Sequence, residues 1–239
     1  MTKVLFVGNS FSTDATRYIE SIADGELFVR NLYIGGCSLQ THDANICSDE
    51  QCYEYQKDAE LLYNSSLKAG LLAEDWDIIS VQQVSSESGI IESYEPYMGR
   101  LVAFIRELVP AAKIVFHRTW AYERDSEHPG FAAYGNDTAA MHAAIISATT
   151  AAAEKYGFEI IRSGDAVAKA RTLAAFDVDR GGIKITRDGF HLSLDYGRYL
   201  AGLMVYRALT GKTAAGVRFA PEGTDGAIIA ELKAVADSV

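Results

Sequence analysis

The sequence is poor in cysteine, with only Cys37, Cys47 and Cys52 among its 239 residues. None of them forms a CxxC pair, so the sequence gives no support for a structural zinc site. An odd number of cysteines without a signal peptide is typical of free thiols in a reducing compartment. A Cys47–Cys52 disulfide is the alternative for an exported protein.

Basic residues are also scarce, with 22 Lys and Arg against 32 Asp and Glu and a formal net charge of -10. Such an acidic chain lacks the positive surface that attracts phosphate backbones or anionic lipid, so neither nucleic acid nor a membrane is expected as a partner. No apolar run approaches the roughly 20 residues of a membrane-spanning helix. Because the N-terminal residues lack the features of a secretory signal, we predict a cytoplasmic protein. The mature part of an exported protein is the alternative, and the oligomeric state stays open.

The motif G-x-S-x-G is absent from the chain. The α/β-hydrolases carry their nucleophilic serine in this motif, on a sharp turn between a strand and a helix. Its absence argues against that fold, so a reactive serine has to be sought in another setting.

Apolar runs predict five buried strands, at residues 3–7, 26–34, 78–81, 113–116 and 158–161. Segments with helical spacing alternate with them, at residues 13–23, 94–109, 138–156, 163–174, 194–209 and 225–235. This alternation predicts an α/β fold with a parallel sheet and helices on both faces, in one domain over residues 1–239. Residues 37–64 are the hardest to interpret, although 53–56 and 61–63 suggest a small hairpin.

A serine follows the first predicted strand, in the sequence Gly8-Asn9-Ser10. Ligands of parallel α/β sheets bind at the carboxyl ends of the strands. Gly35-Gly36, Gln82-Gln83 and a loop that begins at His117 follow later strands and are expected at the same edge. Ser10 is therefore a candidate nucleophile.

Asp188 and His191 lie three residues apart in a late loop. At this spacing the carboxylate can reach the imidazole and fix the tautomer that accepts a proton from a serine. The alternative is that Asp188-Gly189 forms a turn and His191 merely packs. Combined with Gly8-Asn9-Ser10, the spacing favours an acid–base pair that serves Ser10.

These features resemble the SGNH (GDSL-like) hydrolase clan over about residues 3–210. The resemblance rests on Gly-Asn-Ser-Phe-Ser, Gly-Gly-Cys-Ser-Leu, Trp-Asp-Ile-Ile-Ser-Val-Gln-Gln, Thr-Trp-Ala-Tyr and Asp-Gly-Phe-His-Leu-Ser. More narrowly, the chain is similar to a bacterial branch related to carbohydrate and sialate O-acetylesterases. The clan implies a three-layer α/β/α sandwich with a flavodoxin-like sheet, here of five parallel strands. It also implies Ser10 as nucleophile, His191 as base and Asp188 as acid.

The resemblance further implies an oxyanion hole made by the backbone N–H groups of Ser10 and Gly36 and by one side-chain amide. Two departures bear on it: Asn9 replaces the clan's usual aspartate, and the Gly-x-Asn-Asp block after the third strand is missing. Ser86 occupies the aligned asparagine position. We predict Gln83 as the substitute amide rather than Gln82, since neighbouring strand residues point to opposite faces.

Arg118, Trp120 and Tyr122 are predicted to line the mouth of the pocket, where an arginine and aromatic rings suit a sugar. The alternative places Trp120 in the core and pairs Arg118 with Glu123 or Asp125. Three further histidines, His117, His128 and His142, have no shared metal spacing and are expected to be structural or exposed. For His42, six residues after Gly36, an approach to the site stays open.

These features together predict a serine esterase that removes a small acyl group, acetyl above all, from a carbohydrate-type alcohol through an acyl-enzyme on Ser10. No metal or organic cofactor is implied. Two alternatives stay open, a non-catalytic carbohydrate-binding protein on the same fold and an acyltransferase that uses the same serine.

Overall fold

The computed structural model describes all residues from 1 to 239 and contains one seven-stranded sheet. The strands are β1 (Thr2–Gly8), β2 (Leu27–Tyr33), β3 (Tyr53–Lys57), β4 (Glu60–Ser65), β5 (Ile78–Val81), β6 (Lys113–His117) and β7 (Glu159–Ile161). Their spatial order is β4-β3-β2-β1-β5-β6-β7. The helices are α1 (Ser10–Thr16), α2 (Ile19–Ala23), α3 (Leu39–Ile46), α4 (Leu67–Leu71), α5 (Tyr97–Leu108), α6 (Thr138–Tyr156), α7 (Ser163–Ala170), α8 (Tyr196–Thr210) and α9 (Gly226–Asp237).

The predicted α/β fold with a parallel sheet is confirmed, but the sheet has seven strands rather than five. The five predicted strands, β2-β1-β5-β6-β7, are all parallel. The suggested hairpin forms β3 and β4 and pairs with β2 in antiparallel orientation. Its turn uses Asp58 and Ala59 at positive φ, as a tight two-residue hairpin requires. Because Tyr53 and Tyr55 of β3 are buried, the hairpin extends the core instead of standing apart.

Two hydrophobic cores lie on the two faces of the sheet, as a three-layer sandwich requires. Alternate residues of β1 supply both cores, Val4 and Phe6 one and Leu5 and Val7 the other. The first core is closed by α1, α2, α7, α8 and α9 and the second by α3, α4 and α5, while α6 contributes to both. Strand β1 therefore lies in the middle of the molecule, and its carboxyl end is held from both sides.

The predicted helix at 13–23 is two helices, and the first of them begins earlier, at Ser10. Asn9 is the reason, because its side-chain oxygen accepts a hydrogen bond from the Phe11 N–H at 3.0 Å and caps α1. Gly8 permits the tight turn into the helix, since a Cβ at that position would lie 2.5 Å from the Ser12 hydroxyl oxygen. Ser10 is thus the first residue of α1, directly at the carboxyl end of β1.

Two further features bear on the sequence-based expectations. All three cysteines are free thiols, so the alternative of a Cys47–Cys52 disulfide is not realised in this structure. None of the helices has both the length and the apolar character needed to cross a membrane.

Candidate active site

A continuous hydrogen-bonded chain joins Ser10, His191 and Asp188. The Ser10 Oγ lies 2.8 Å from His191 Nε2, and His191 Nδ1 lies 2.6 Å from Asp188 Oδ2. The second carboxylate oxygen, Asp188 Oδ1, accepts the backbone N–H groups of His191 at 2.7 Å and Phe190 at 3.2 Å. The spacing of Asp188 and His191 therefore builds a closed turn in which one carboxylate fixes both the ring and the backbone of the histidine.

The ionisation of Asp188 sets the tautomer of His191. Burial opposes ionisation, but the hydrogen bonds from the ring and backbone of His191 and from the Phe190 N–H outweigh it and hold the pKa of Asp188 below its ordinary value. An ionised carboxylate only accepts hydrogen bonds, so Nδ1 carries the proton. Nε2 is then free to accept the proton of the Ser10 hydroxyl, which is the arrangement that activates a serine.

Asp14 anchors the loop that carries His191. Ser10 and Asp14 are four residues apart in α1 and so share one face of the helix. The Asp14 carboxylate is completely buried and accepts the Leu192 N–H at 2.9 Å, Arg198 Nε at 2.8 Å and Arg187 Nη1 at 3.1 Å. One short helix thus places the serine and fastens the residue next to the histidine. None of the three charged residues was predicted from the sequence; for Asp14 the i, i+4 spacing from Ser10 is a local signal, and Arg187 and Arg198 have none.

Ser10 and Gly36, the residues whose backbone N–H groups are predicted to bind the oxyanion, line the same cavity. The N–H of Gly36 has no acceptor within the protein, and that of Ser10 lies in the first turn of α1, where helical N–H groups have no intrahelical partner. Gly36 adopts a φ of +63°, a conformation that glycine takes without strain. The Asn9 amide donates to the Cys37 carbonyl at 2.9 Å and so ties the Gly36 loop to the turn that presents Ser10.

The site opens into a cavity of about 450 Å³. Most of the residues that line it are polar, and its apolar part is formed by Phe11, Tyr33, Val84 and Phe190. Four charged residues line it, namely Asp14 of α1, Glu54 of β3, Arg198 of α8 and Arg187 of the loop before α8. A ligand in this cavity would meet Ser10, Gly36 and His191 together with hydrogen-bonding groups of both charges.

The prediction that Gln83 supplies a side-chain oxyanion donor is wrong. Its Nε2 donates to the carbonyl and hydroxyl oxygens of Ser93, at 3.1 and 2.9 Å, and Gln83 does not line the cavity. Its Oε1 accepts the backbone N–H groups of Leu39 and Val84. Ser86, at the aligned asparagine position, does not line the cavity either.

The Gln82 side chain lies on the side of the strand that faces Ser10, but its amide group already has hydrogen-bond partners. Its Nε2 donates to Asn9 Oδ1 at 2.8 Å, and its Oε1 lies 3.0 Å from His117 Nδ1. The other ring nitrogen of His117 lies 2.9 Å from the Ser163 hydroxyl. Gln82 therefore positions Asn9 and, through it, the turn before Ser10.

We expect replacement of Gln83 by alanine to lower stability and to leave turnover nearly unchanged. The change leaves the buried N–H of Leu39 and the partly buried N–H of Val84 without their acceptor, and a buried unpaired donor typically costs about 1–3 kcal/mol. Urea denaturation measures the loss, and the initial rate on an activated ester measures turnover. A 100-fold lower kcat at unchanged stability would show instead that the Gln83 amide acts at the oxyanion.

Arg118, Trp120 and Tyr122 do not line the pocket mouth, and that prediction is wrong. All three are buried, with Trp120 and Tyr122 at 0% exposure. Arg118 binds Asp165 at 2.8 Å and two threonines of α6, rather than the alternatives Glu123 or Asp125.

Trp120 and Tyr122 instead support the cavity wall from behind. Trp120 stacks on Phe11 with ring centroids 4.3 Å apart and donates its indole N–H to the Phe190 carbonyl at 2.7 Å. The Tyr122 hydroxyl lies 2.8 Å from the Ser85 hydroxyl. The two rings thus contact Phe11 and Phe190, the residues next to Ser10 and His191. Trp120 belongs to the core, as the alternative interpretation of the sequence had it.

The remaining histidines fall into two groups. His42, His117 and His142 lie away from the cavity, with His42 Nδ1 2.9 Å from the Tyr53 hydroxyl and 3.5 Å from the Cys37 sulfur. His128 lines the cavity. The structure contains no cluster of three or more His, Cys, Asp or Glu side chains arranged to hold a metal ion.

Stability is expected to fall in mild acid because two histidines are buried uncharged. Burial lowers the pKa of His117 to about 3 and that of His42 to about 4. The unfolded chain takes up these protons below a pH of about 6.5, so the stabilisation is complete above that pH and is lost as the pH falls. Between pH values of about 7 and 5 we expect a loss of about 4 kcal/mol, measured by urea denaturation. His117→Asn, which cannot be protonated, is expected to halve it; unchanged stability over this range contradicts the burial argument.

The DUF4886 family, described as a domain of unknown function, matches residues 3–236. The chain belongs to the DUF4886 family. The crystal structure of a DUF4886 protein from Bacteroides uniformis is 36% identical, with a TM-score of 0.91 over 99% of this chain and 93% of that one. The comparison with curated proteins finds no match.

Other solved structures share the fold of this DUF4886 protein at low identity. A protein from Slackia heliotrinireducens that is classed with the SGNH hydrolases is 21% identical, with a TM-score of 0.58 over 87% of this chain and 98% of that one. An acetyl xylan esterase, AlAXEase, is 13% identical, with a TM-score of 0.55 over 87% of this chain and 99% of that one. The SGNH fold implied by the sequence is therefore confirmed, whereas the narrower carbohydrate-esterase branch is not.

Proposed function

We propose that this protein is a serine hydrolase that cleaves small acyl esters. One observation carries the proposal: the Ser10 hydroxyl, the His191 ring and the Asp188 carboxylate form one hydrogen-bonded chain at the wall of an open cavity. A serine, a base and an acid with these contacts form the arrangement that recurs in serine hydrolases on unrelated folds.

The proposed reaction begins with attack of the Ser10 oxygen on the ester carbonyl while His191 Nε2 takes the hydroxyl proton. The negative charge that develops on the carbonyl oxygen is stabilised by the N–H groups of Ser10 and Gly36. His191 then gives the proton to the departing alcohol, which leaves an acyl group on Ser10. Water, deprotonated by His191, attacks the acyl-enzyme and releases the acid.

The shape and chemistry of the cavity favour a small acyl group on a polar alcohol. Few apolar residues line the cavity, Val84 and Phe190 among them, while Glu54, Gln56 and Arg198 supply hydrogen-bonding groups of the kind that sugar hydroxyls use. The acetyl xylan esterase with the same fold is a further reason to consider an acetylated carbohydrate. We therefore propose acetyl as the acyl group and a carbohydrate-type alcohol.

A series of p-nitrophenyl esters tests both parts of this proposal. We expect kcat/KM to be highest for the acetate and to fall at least tenfold to the octanoate, since one misplaced methylene is worth about 1–3 kcal/mol in a restrictive pocket. Acetylated xylo-oligosaccharides and triacetin then compare a sugar alcohol with glycerol. Turnover no faster than that of Ser10→Ala for every ester overturns the hydrolase proposal, and a preference for octanoate overturns only the small acyl group.

The lack of a free amide at Gln82 or Gln83 favours one second candidate, a non-catalytic carbohydrate-binding protein. Such a protein would bind acetylated oligosaccharides in calorimetry and release no acetate. Acetate release by the wild-type protein that depends on Ser10 decides against it. Release of acetyl to an added sugar instead of water would identify an acyltransferase.

A further inference from the structure

The loop between β6 and α6 covers the segment after β5, where the amide of the oxyanion site is missing. Gly130 packs so closely there that a Cβ on it would lie 2.4 Å from the Ser86 Cβ. The Tyr134 hydroxyl donates to the Ser86 carbonyl at 3.0 Å and accepts the Gly89 N–H at 3.0 Å. The loop is therefore fastened over residues 86–89 and brings His128 into the wall of the cavity, beside Val84 and Ser85.

The backbone fixes the tautomer of His128. The Gly130 N–H donates to His128 Nδ1 at 3.0 Å, so Nδ1 is an acceptor and a neutral ring carries its proton on Nε2. Burial, and then the nearby His191, lower the pKa of His128, while Asp188 opposes them. A lowered pKa favours the neutral ring, the form in which Nδ1 accepts and Nε2 carries the proton. No atom of the protein accepts a hydrogen bond from Nε2–H.

Two aromatic rings hold the imidazole in place. Its centroid lies 4.8 Å from that of Tyr122 and 5.0 Å from that of Phe190, and the Phe190 ring lies 4.2 Å from that of His191. Tyr122 is itself fixed by its contact with Ser85. An N–H donor with a fixed direction is what oxyanion stabilisation requires, because no energy is then spent on reorientation during the reaction.

We propose that His128 Nε2–H is the third donor to the oxyanion, in the role that a side-chain amide was expected to fill. This proposal rests on the hydrolase function proposed above. When the Ser10 oxygen bonds to the carbonyl carbon, the π electrons of the carbonyl move to its oxygen, and the Ser10 proton passes to His191. His128 keeps its own proton throughout and only donates a hydrogen bond. The three donors then come from α1, from the loop after β2 and from the loop after β6.

Three substitutions of His128 separate this role from a structural one. His128→Phe keeps a ring between Tyr122 and Phe190 but has no N–H. His128→Asn keeps an acceptor for the Gly130 N–H but is too short to reach the position of Nε2, whereas His128→Gln places its amide nitrogen there. For p-nitrophenyl acetate we expect kcat to fall about 100-fold to 1000-fold in the Phe and Asn variants, with KM within threefold of wild type. We expect kcat of His128→Gln to be at least tenfold higher than that of His128→Asn.

The outcomes distinguish failure of the hydrolase proposal from failure of the role proposed for His128. A wild-type protein without Ser10-dependent turnover overturns the hydrolase proposal itself. An active wild type with kcat retained in the Phe or Asn variant overturns the role of His128, as does a raised KM at unchanged kcat, which would assign the ring to binding of the alcohol. Thermal unfolding of all three variants is measured alongside. If the Phe variant does not fold, equal kcat values for the Asn and Gln variants overturn the proposal, and a Gln variant that is at least tenfold faster supports it.

Discussion

Replacement of Ser10 by alanine is expected to lower kcat for p-nitrophenyl acetate by about 10⁴-fold or more. The substitution removes the only hydroxyl that lies within hydrogen-bond distance of His191 Nε2, at 2.8 Å. Without it no acyl-enzyme forms, and the remaining rate reflects water attack assisted by the backbone N–H groups. Steady-state kinetics at saturating substrate measure the effect, and a burst of p-nitrophenol in the wild type reports the acyl-enzyme directly.

Ser21 offers a matched control for this substitution. It is exposed in α2, away from the cavity, so Ser21→Ala is expected to keep wild-type kinetics. The fold of Ser10→Ala is expected to persist, since the Ser10 side chain contacts only His191 by hydrogen bond. A Ser10→Ala protein that is folded and retains more than a tenth of the wild-type kcat contradicts the role assigned to Ser10.

Replacement of Asp14 by asparagine is expected to destabilise the protein by about 3–5 kcal/mol. The neutral amide leaves the Arg187 and Arg198 guanidinium groups without the carboxylate that binds both, and the Asp14 side chain has no exposure to solvent. Because the same carboxylate holds the Leu192 N–H, the variant also loosens the loop of His191. We therefore expect a lower urea midpoint together with a reduced kcat.

The exposed ion pair of Arg124 and Asp179 is the control for Asp14. Both of its side chains are 63% exposed. Exposed pairs of this kind contribute about 0–1 kcal/mol, so Asp179→Asn is expected to change stability by less than that. Equal effects of the two substitutions would show that Asp14 does not anchor the site. The urea midpoints can be compared only if the slope of the free energy of unfolding against urea concentration is the same in both variants and in the wild type.

The parts of the site that rest on short sequence patterns could be predicted. The apolar run before Gly8-Asn9-Ser10 identifies the central strand, since only a strand buried on both faces is apolar without alternation. The three-residue spacing of Asp188 and His191 identifies a turn in which a carboxylate meets a ring. Both patterns are local, so neighbouring residues alone determine the geometry.

The parts that depend on distant partners could not be predicted. Alternation along a strand shows that Gln82 and Gln83 face opposite sides, but which side faces Ser10 depends on the pairing of β5 with β1. In the sequence, Trp120 and Tyr122 resemble residues that line a pocket. In the structure they are buried, because the loop after β6 folds back over residues 84–89. The same fold-back brings His128 into the cavity, although its sequence context has no motif.

The addition of the hairpin to the sheet is a similar case. The residues around Lys57-Asp58 predict its turn. Its pairing with β2, however, brings together residues more than 20 positions apart, such as Leu32 and Tyr55. The apolar residues of β4 are exposed, as on an edge strand, so its sequence does not mark it as part of the sheet. The local pattern therefore predicts the hairpin but not the strand with which it pairs.

The most direct test of the account is labelling with a fluorophosphonate, which reacts with an activated serine whatever the natural substrate is. We predict one label per protein chain, located by peptide mapping on Ser10, and its loss in His191→Ala. Failure of the folded wild-type protein to react, or a label on another serine, would contradict the claim that Ser10, His191 and Asp188 form a working nucleophile.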